Sequence, residues 1–517
     1  MMMKVTAFIT LAMAGLLTAV LAVPVQAEQG KSIFAQAGAQ APQSAKDFKP
    51  APDKMETRFG KLEFPGGYPT EKTVQKVYGE LDLQRATQLY LDMYPALSMR
   101  GMMIGTARDY GAKNSSDISV TADRLDSKAM WLTGNTESIY AMIVFDLKVD
   151  GPTVFEAPAG LMGPVDDANF LFAFDIGPTG MDKGKGGKYL ILPPGYKGDV
   201  PEGYFVFKSP TYRLFSFVRA NAAVVGTGEK AMEFFRKNAK VYPLKTGPSK
   251  GKFTNVSGLP INTLVPEDAS AFEWMHDIIN YEPAEAFGKE KLGRLASIGI
   301  IKGKPFNPDA RMKKILDQAA KEGVAMSRVI AFNSRVENAK VYPGREWESP
   351  YITNNSTFYQ DDYINLEART TFHFTADGIT PAMAAQMPEG LGSRYQTTYK
   401  DKDGNFFDGN KTYKLNVPPK VPVKLFWSVT VYDTYTRAVV QTQPYPSISS
   451  QQTPAPVVNK DGSIDIYFSV KQPKGIAKQN WVEVVPNQGF FVYMRYYGPL
   501  NAFNDKTWIP NNVELVQ

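Results

Sequence analysis

No cysteine occurs in the 517 residues, and histidine occurs only as His276 and His373. The first absence removes disulfides, thiol nucleophiles, thiolate metal sites and iron–sulfur clusters together. The second leaves no His-rich zinc site. Any Ser-His-Asp triad would have to use one of two histidines in unlike contexts, and both read as ordinary structural residues. No G-x-S-x-G is present. Residues 180–188, GMDKGKGGK, lack the spacing of a phosphate-binding loop and precede a strand. Residues 401–405, DKDGN, begin like a calcium loop, but Gly404 comes too early and Thr412 stands where a glutamate is required. That segment reads as a hairpin turn. No metal and no cofactor is expected. A net charge of +6 without a dense basic run gives no footing for nucleic acid.

Long apolar runs are scarce too, except at the N-terminus. Lys4 precedes an Ala-, Leu- and Val-rich run over 5–23, Pro24 breaks it, and Val25-Gln26-Ala27 resembles a cleavage site before polar Glu28-Gln29-Gly30. The pattern predicts a signal peptide over 1–27 and a periplasmic or secreted protein. The run is also almost long enough to be an uncleaved anchor. No later segment approaches a spanning length, so no membrane span is expected after signal removal.

What remains favours strands and tight loops. Aromatics make up 12% of the chain, and 42 Gly and 37 Pro supply turns. Residues 28–80 read as a leader or linker. Residues 81–245 read as an N-terminal β-sandwich domain, 246–265 as a linker, 266–345 as a helical connection and 346–517 as a C-terminal β-sandwich domain. Helical spacing appears at Leu83, Ala86, Leu89, Tyr90, Met93 and Leu97. A second helix is predicted from Asn307-Pro308-Asp309, with Asn as cap, Pro in the first turn and Asp at the positive end. In NTESIYAMIVFDLKVDG, Ile139, Ala141, Ile143 and Phe145 share one face and Tyr140, Met142, Val144 and Asp146 the other. With both faces this apolar, the segment reads as a central strand. SPTYRLFSFVRA and, later, VPVKLFWSVTVYDTYTR, GSIDIYFSV and GFFVYMRYYG read as further strands.

One internal echo stands out. Val144-Phe145-Asp146 and Val431-Tyr432-Asp433 both end an apolar strand with Asp, and a later strand in each half carries an arginine, Arg219 or Arg495. By alternation Asp433 shares a face with Leu425, Trp427, Val429 and Val431. A carboxylate there is costly unless paired, and Arg437 or Arg495 could pair it. Asp146 could pair with Arg219. These acids, with Glu137 and Asn135 at the start of the first strand and Asp175 after FLFAF, are candidates for acid/base work at the mouth of a sandwich. The residues favour the other reading, structural pairs that end strands.

The segments around 135–158, 187–220 and 298–309, and in the second half 401–437 and 479–510, resemble in order the paired domains of unknown function numbered 1254 and 1214. The resemblance covers about residues 80–510. Tyr196 stands where similar proteins usually carry Trp, and QTQPYPSISS replaces the usual Asn-Pro after the FWS strand. The resemblance implies a mainly β fold: two tandem β-sandwich, jelly-roll-like domains with a helical insertion, looking like peptide N-glycosidase F.

The leading expectation is therefore a glycosidase-like hydrolase acting on a glycan or glycoconjugate. Asp146, Asp433 and Glu137 would be catalytic. Arg219, Trp427, Tyr432, Arg437, Trp481 and Arg495 would bind substrate, with Trp347, Trp508, Tyr496 and Tyr497 as further stacking candidates. The alternative is a non-catalytic envelope protein that binds a carbohydrate, lipid or aromatic ligand.

Overall fold

The computed structural model describes residues 51–248 and 251–516. The expected signal segment and the leader up to residue 50 lie outside them. Residues up to Val74 belong to one compact unit and Gln75–Gln517 to another. In the first, strands Lys54–Thr57 and Gly60–Glu63 form a hairpin, and the Thr73 hydroxyl accepts from Glu63 N.

The predicted helix over 81–99 is much longer, Glu71–Arg108. Val74, Val77, Tyr78 and Leu81 extend the helical spacing toward its start, and Thr70 Oγ1 accepts from Thr73 N, as an N-cap does. The second helix, Ala310–Phe332, begins after the expected cluster: Asp309 is the cap, accepting from Met312 N, and Asn307 and Pro308 precede it.

In the larger unit, strand Ile139–Asp146 is interior to its sheet, as its two apolar faces require. The sheet has six strands, ordered Phe253–Asn255, Ile118–Val120, Ile139–Asp146, Arg213–Ala220, Leu161–Asp167 and Phe172–Ile176. A four-stranded sheet comprises Phe205–Lys208, Gly186–Leu192, Thr153–Pro158 and Lys240–Pro243. Ile139, Ala141, Ile143 and Phe145 join Phe155, Tyr189, Ile191 and Val241 in one buried cluster. Toward the C-terminus, Ser393–Thr398, Phe490–Pro499, Val423–Asp433 and Ser447–Ser449 form one sheet. Trp481–Glu483, Ile464–Ser469, Tyr413–Val417 and Val513–Leu515 form another, and these two also share a core.

Two features depart from a mainly β chain. Helix and strand each account for 27% of it, and no barrel closes among the described residues. The helical share has its own core. Leu89, Tyr90, Met93 and Leu97 of the long helix pack with Phe272 and Met275 of Ser270–Tyr281 and with Leu316, Ala319 and Ala320 of Ala310–Phe332. Residues 350–392, expected to begin the second set of strands, hold only one short hairpin. They form helices Leu366–Thr375 and Pro381–Ala384 instead. Thr370, Thr371 and Thr375 disfavour a helix intrinsically, but their burial and the Asn365 cap override that preference.

The long helix touches backbone directly at Gly101. A methyl group there would lie 2.1 Å from the Thr263 carbonyl oxygen, and the obstacle is backbone that cannot swing away. Gly101→Ala is expected to cost about 1–3 kcal/mol through overpacking, despite alanine's better helix propensity. Urea unfolding of the purified variant measures it; a gain in stability would show that the helix can shift.

Candidate functional site

The second face of the six-stranded sheet builds a cavity. Leu214, Val218 and Ala220 point into the core, so Phe217 and Arg219 point the other way. Register pairs Phe217 with Met142 and Arg219 with Tyr140, which brings these four side chains to one face. In the C-terminal half, Val492, Met494 and Tyr496 fill the core and leave Tyr493 and Arg495 on the opposite face, where Tyr395 pairs with Arg495. With Trp131, Tyr351, Phe372 and Met383, these groups line a pocket of about 310 Å³. That is the small end of ligand-pocket sizes, roughly 300–1,000 Å³.

Two carboxyls face the pocket. Asp175 Oδ2 accepts from Thr179 Oγ1 and Thr380 Oγ1, both at 2.8 Å, while Oδ1 has no partner. Burial pushes its proton affinity up. Asp377 Oδ1 accepts from Ser98 Oγ at 2.9 Å, its Oδ2 has no partner, and burial pushes its pKa up to about 7.

Of the nine residues expected to form a site, only Arg219 and Arg495 line this pocket. Asp146 sits at the far end of its strand. It is opposite Arg213, six residues from the Tyr140–Arg219 pair, or roughly 20 Å at ~3.4 Å per residue. Tyr281 OH donates to both its oxygens at 2.6 Å, Arg213 lies 3.9 Å away, and Oδ1 also accepts from Lys148 N to cap a short helix. Glu137 pairs with Arg124 at 3.8 Å. Asn135 does line the pocket, with Nδ2 donating to Tyr140 OH at 3.1 Å.

Asp433 closes a turn. Its Oδ1 accepts from Tyr435 N at 2.8 Å and from Thr436 N at 2.7 Å, and its Oδ2 accepts from Gln488. It makes no ion pair with Arg437 or Arg495 among the described residues. Arg437 pairs instead with Glu267 at 2.7 Å. The face expected for Asp433 also breaks at Leu425, which is exposed because the register with Phe490–Pro499 shifts between Val423 and Phe426.

The expected stacking aromatics are mostly interior. Trp427, Tyr432, Trp347, Tyr496 and Tyr497 are buried, which denies their faces to a sugar in solvent. Trp481 donates to Ser469 O at 3.1 Å. Tyr432 OH donates to Gly134 O at 2.8 Å and so holds a pocket segment from behind. His373 is buried with Nδ1 unpartnered, and burial holds it neutral; His276 bonds the Lys304 carbonyl oxygen. Sequence reasoning passed over Tyr395, Tyr493, Trp131 and Asp377. They reach the pocket from separate elements; Asn135, Asp175 and the Arg219–Arg495 echo were the candidates that pointed to it.

The geometry defines a strand-rich protein with a partly open pocket lined by residues from its two halves. Residues 117–243 match the family described as protein of unknown function DUF1254, and residues 392–501 match protein of unknown function DUF1214. The two matches stand in that order along the chain. Among solved structures it is similar to the VPA0106 protein from Vibrio parahaemolyticus, at 17% identity and a TM-score of 0.49, covering 84% of this chain and 100% of that one. It is also similar to an uncharacterized protein from Burkholderia cenocepacia, at 10% identity and a TM-score of 0.34, covering 86% and 97% respectively. No curated protein matches the chain.

Proposed function

We propose that this is an exported ligand-binding protein, with a β-sandwich in each half, that takes one small, largely apolar molecule into the shared pocket. The observation that carries this reading is the wall itself. Trp131, Met142, Met162, Phe217, Phe372 and Met383 surround the space. A glycan presents a hydroxyl on nearly every carbon and would leave many of these unpartnered against such a wall. Binding pockets for apolar ligands combine this lining with a few placed polar groups. The acids expected to hydrolyse a glycan, Asp146 and Asp433, are engaged elsewhere. A hydrolase reading would have to move to Asp175 and Asp377, the two pocket carboxyls with an unpartnered oxygen.

The test uses a neutral fluorescent probe, N-phenyl-1-naphthylamine, titrated against the purified protein. Saturable binding at one site is expected. Met383→Trp, which fills the cavity, should weaken it at least tenfold without lowering the melting temperature by more than a few degrees. Equal binding by the variant would place the probe elsewhere and remove the proposal.

A further inference from the structure

Resting on the pocket reading above, we infer that the ligand is an acid: an apolar body with one carboxylate head, held between Arg219 and Arg495. Arg495 is almost completely buried and Arg219 is half-buried, and neither makes an ion pair among the described residues. A buried guanidinium without a counter-charge is expensive. Arg437 shows how this fold satisfies one: it has Glu267, two backbone carbonyl oxygens and Tyr94 OH around it. Arg219 has far less. Its Nη2 donates to Ser393 Oγ at 3.2 Å and approaches Met162 Sδ at 3.9 Å, while Nε and Nη1 make no hydrogen bond among the described residues. Arg495 donates to Thr430 Oγ1 at 3.1 Å and Thr133 O at 2.7 Å and otherwise lies 5.4–5.5 Å from the ring centroids of Tyr395, Tyr432 and Tyr493.

The neighbouring groups are donors without acceptors. The hydroxyls of Tyr493 and Tyr497 are buried and unpartnered, and the Tyr497 ring lies 5.3 Å from Arg219. Exposed Lys424 adds a cation to the lining. A cationic, donor-rich end on an apolar cavity is complementary to an anionic head on an apolar body. Charge sets the head's valence. Of the three cationic charges, Asp175 and Asp377 can together offset two at a distance, leaving a single positive charge for a carboxylate to balance. A dianionic phosphonate would overshoot it.

The experiment is isothermal titration at pH 7.5 with 4-phenylbutanoate, decanoate, their neutral amides, and 3-phenylpropylphosphonate, with the neutral naphthylamine probe as control. One of the two acids should bind at least tenfold more tightly than its own amide. Arg219→Gln and Arg495→Gln should each remove most of that preference. Amides that bind as well as the acids, or acids that fail to bind where the neutral probe does, overturn the inference and leave the pocket reading intact. Tighter binding of the phosphonate overturns the carboxylate assignment. If the neutral probe fails as well, the pocket reading falls and takes this inference with it. The acid–amide comparison on the unaltered protein decides the matter even if both arginine variants misfold.

Discussion

Arg437→Met should destabilise the protein by about 3–5 kcal/mol, the cost of breaking a buried, hydrogen-bonded charge cluster. Arg437 is 1% exposed. Its Nε donates to Phe374 O at 3.2 Å, Nη1 to Glu267 Oε1 at 2.7 Å and to Tyr435 O, and Nη2 to Tyr94 OH at 3.2 Å, with the Phe374 ring 4.2 Å below the guanidinium. Methionine fills the volume but donates nothing, so two carbonyl oxygens and a tyrosine lose their donor. Glu267 is about one-third exposed and can hydrate, which keeps the penalty from growing further. The effect should reach the pocket. Arg437 O accepts from Thr133 N at 2.8 Å, and Thr133 O in turn accepts from Arg495. The residue expected to touch substrate thus braces the segment that carries one of the pocket arginines. Urea unfolding should show a lower midpoint at an unchanged slope. A shift worth less than about 1 kcal/mol, nearer the loss of a single ordinary hydrogen bond, would mean that water replaces the lost donors.

Period-two alternation was sufficient to find strands Ile139–Asp146 and Arg213–Ala220 and to choose their faces. Ile139, Ala141, Ile143 and Phe145 are buried together, and Phe217 with Arg219 faces the other way, as the pattern demands. It could not say what the second face meets. The two apolar faces of Ile139–Asp146 fit a central strand, yet part of the second face lines a cavity closed by residues some 250 or more positions later, such as Tyr395 and Arg495. Loop-closing contacts of that separation leave no local signature. The pairing of Asp with Arg failed for a related reason. A terminal Asp on an apolar strand needs partners, but turn amides at 435 and 436 or a tyrosine hydroxyl from a distant helix serve as well as arginine. The helical share was underestimated because the long helix packs with helices about 180 residues away, and only their joint core shows that they belong together.

Stability should also fall as pH rises from about 4 to about 7, against the usual trend for a protein rich in paired carboxylates. Burial pushes Asp167 up to about 6 and Glu282, Glu348 and Asp377 each up to about 7. Unfolded, these groups release their protons near 4. Between 4 and 7 the folded chain therefore holds more protons than the unfolded one, and raising the pH favours unfolding; the stabilising share is complete below 4 and gone above 7. His373 acts in the opposite sense below about 6.5, since burial keeps it neutral while the unfolded chain would protonate it, but it is one group against four. Asp377 has the most direct test. Asn keeps the acceptor for Ser98 and cannot ionise, so Asp377→Asn should match the wild type near pH 4 and exceed it at pH 8 by on the order of 2–4 kcal/mol, given about 1.4 kcal/mol per pH unit. The same titration bears on binding. Below pH 7 the pocket loses the Asp377 charge while an added phenylbutanoate stays ionised, so its affinity should rise between pH 8 and pH 6. Melting temperatures that stay flat or climb from pH 5.5 to pH 8 would show that water reaches these carboxyls, and an acid ligand indifferent to Asp377→Asn would place its head away from that corner of the pocket.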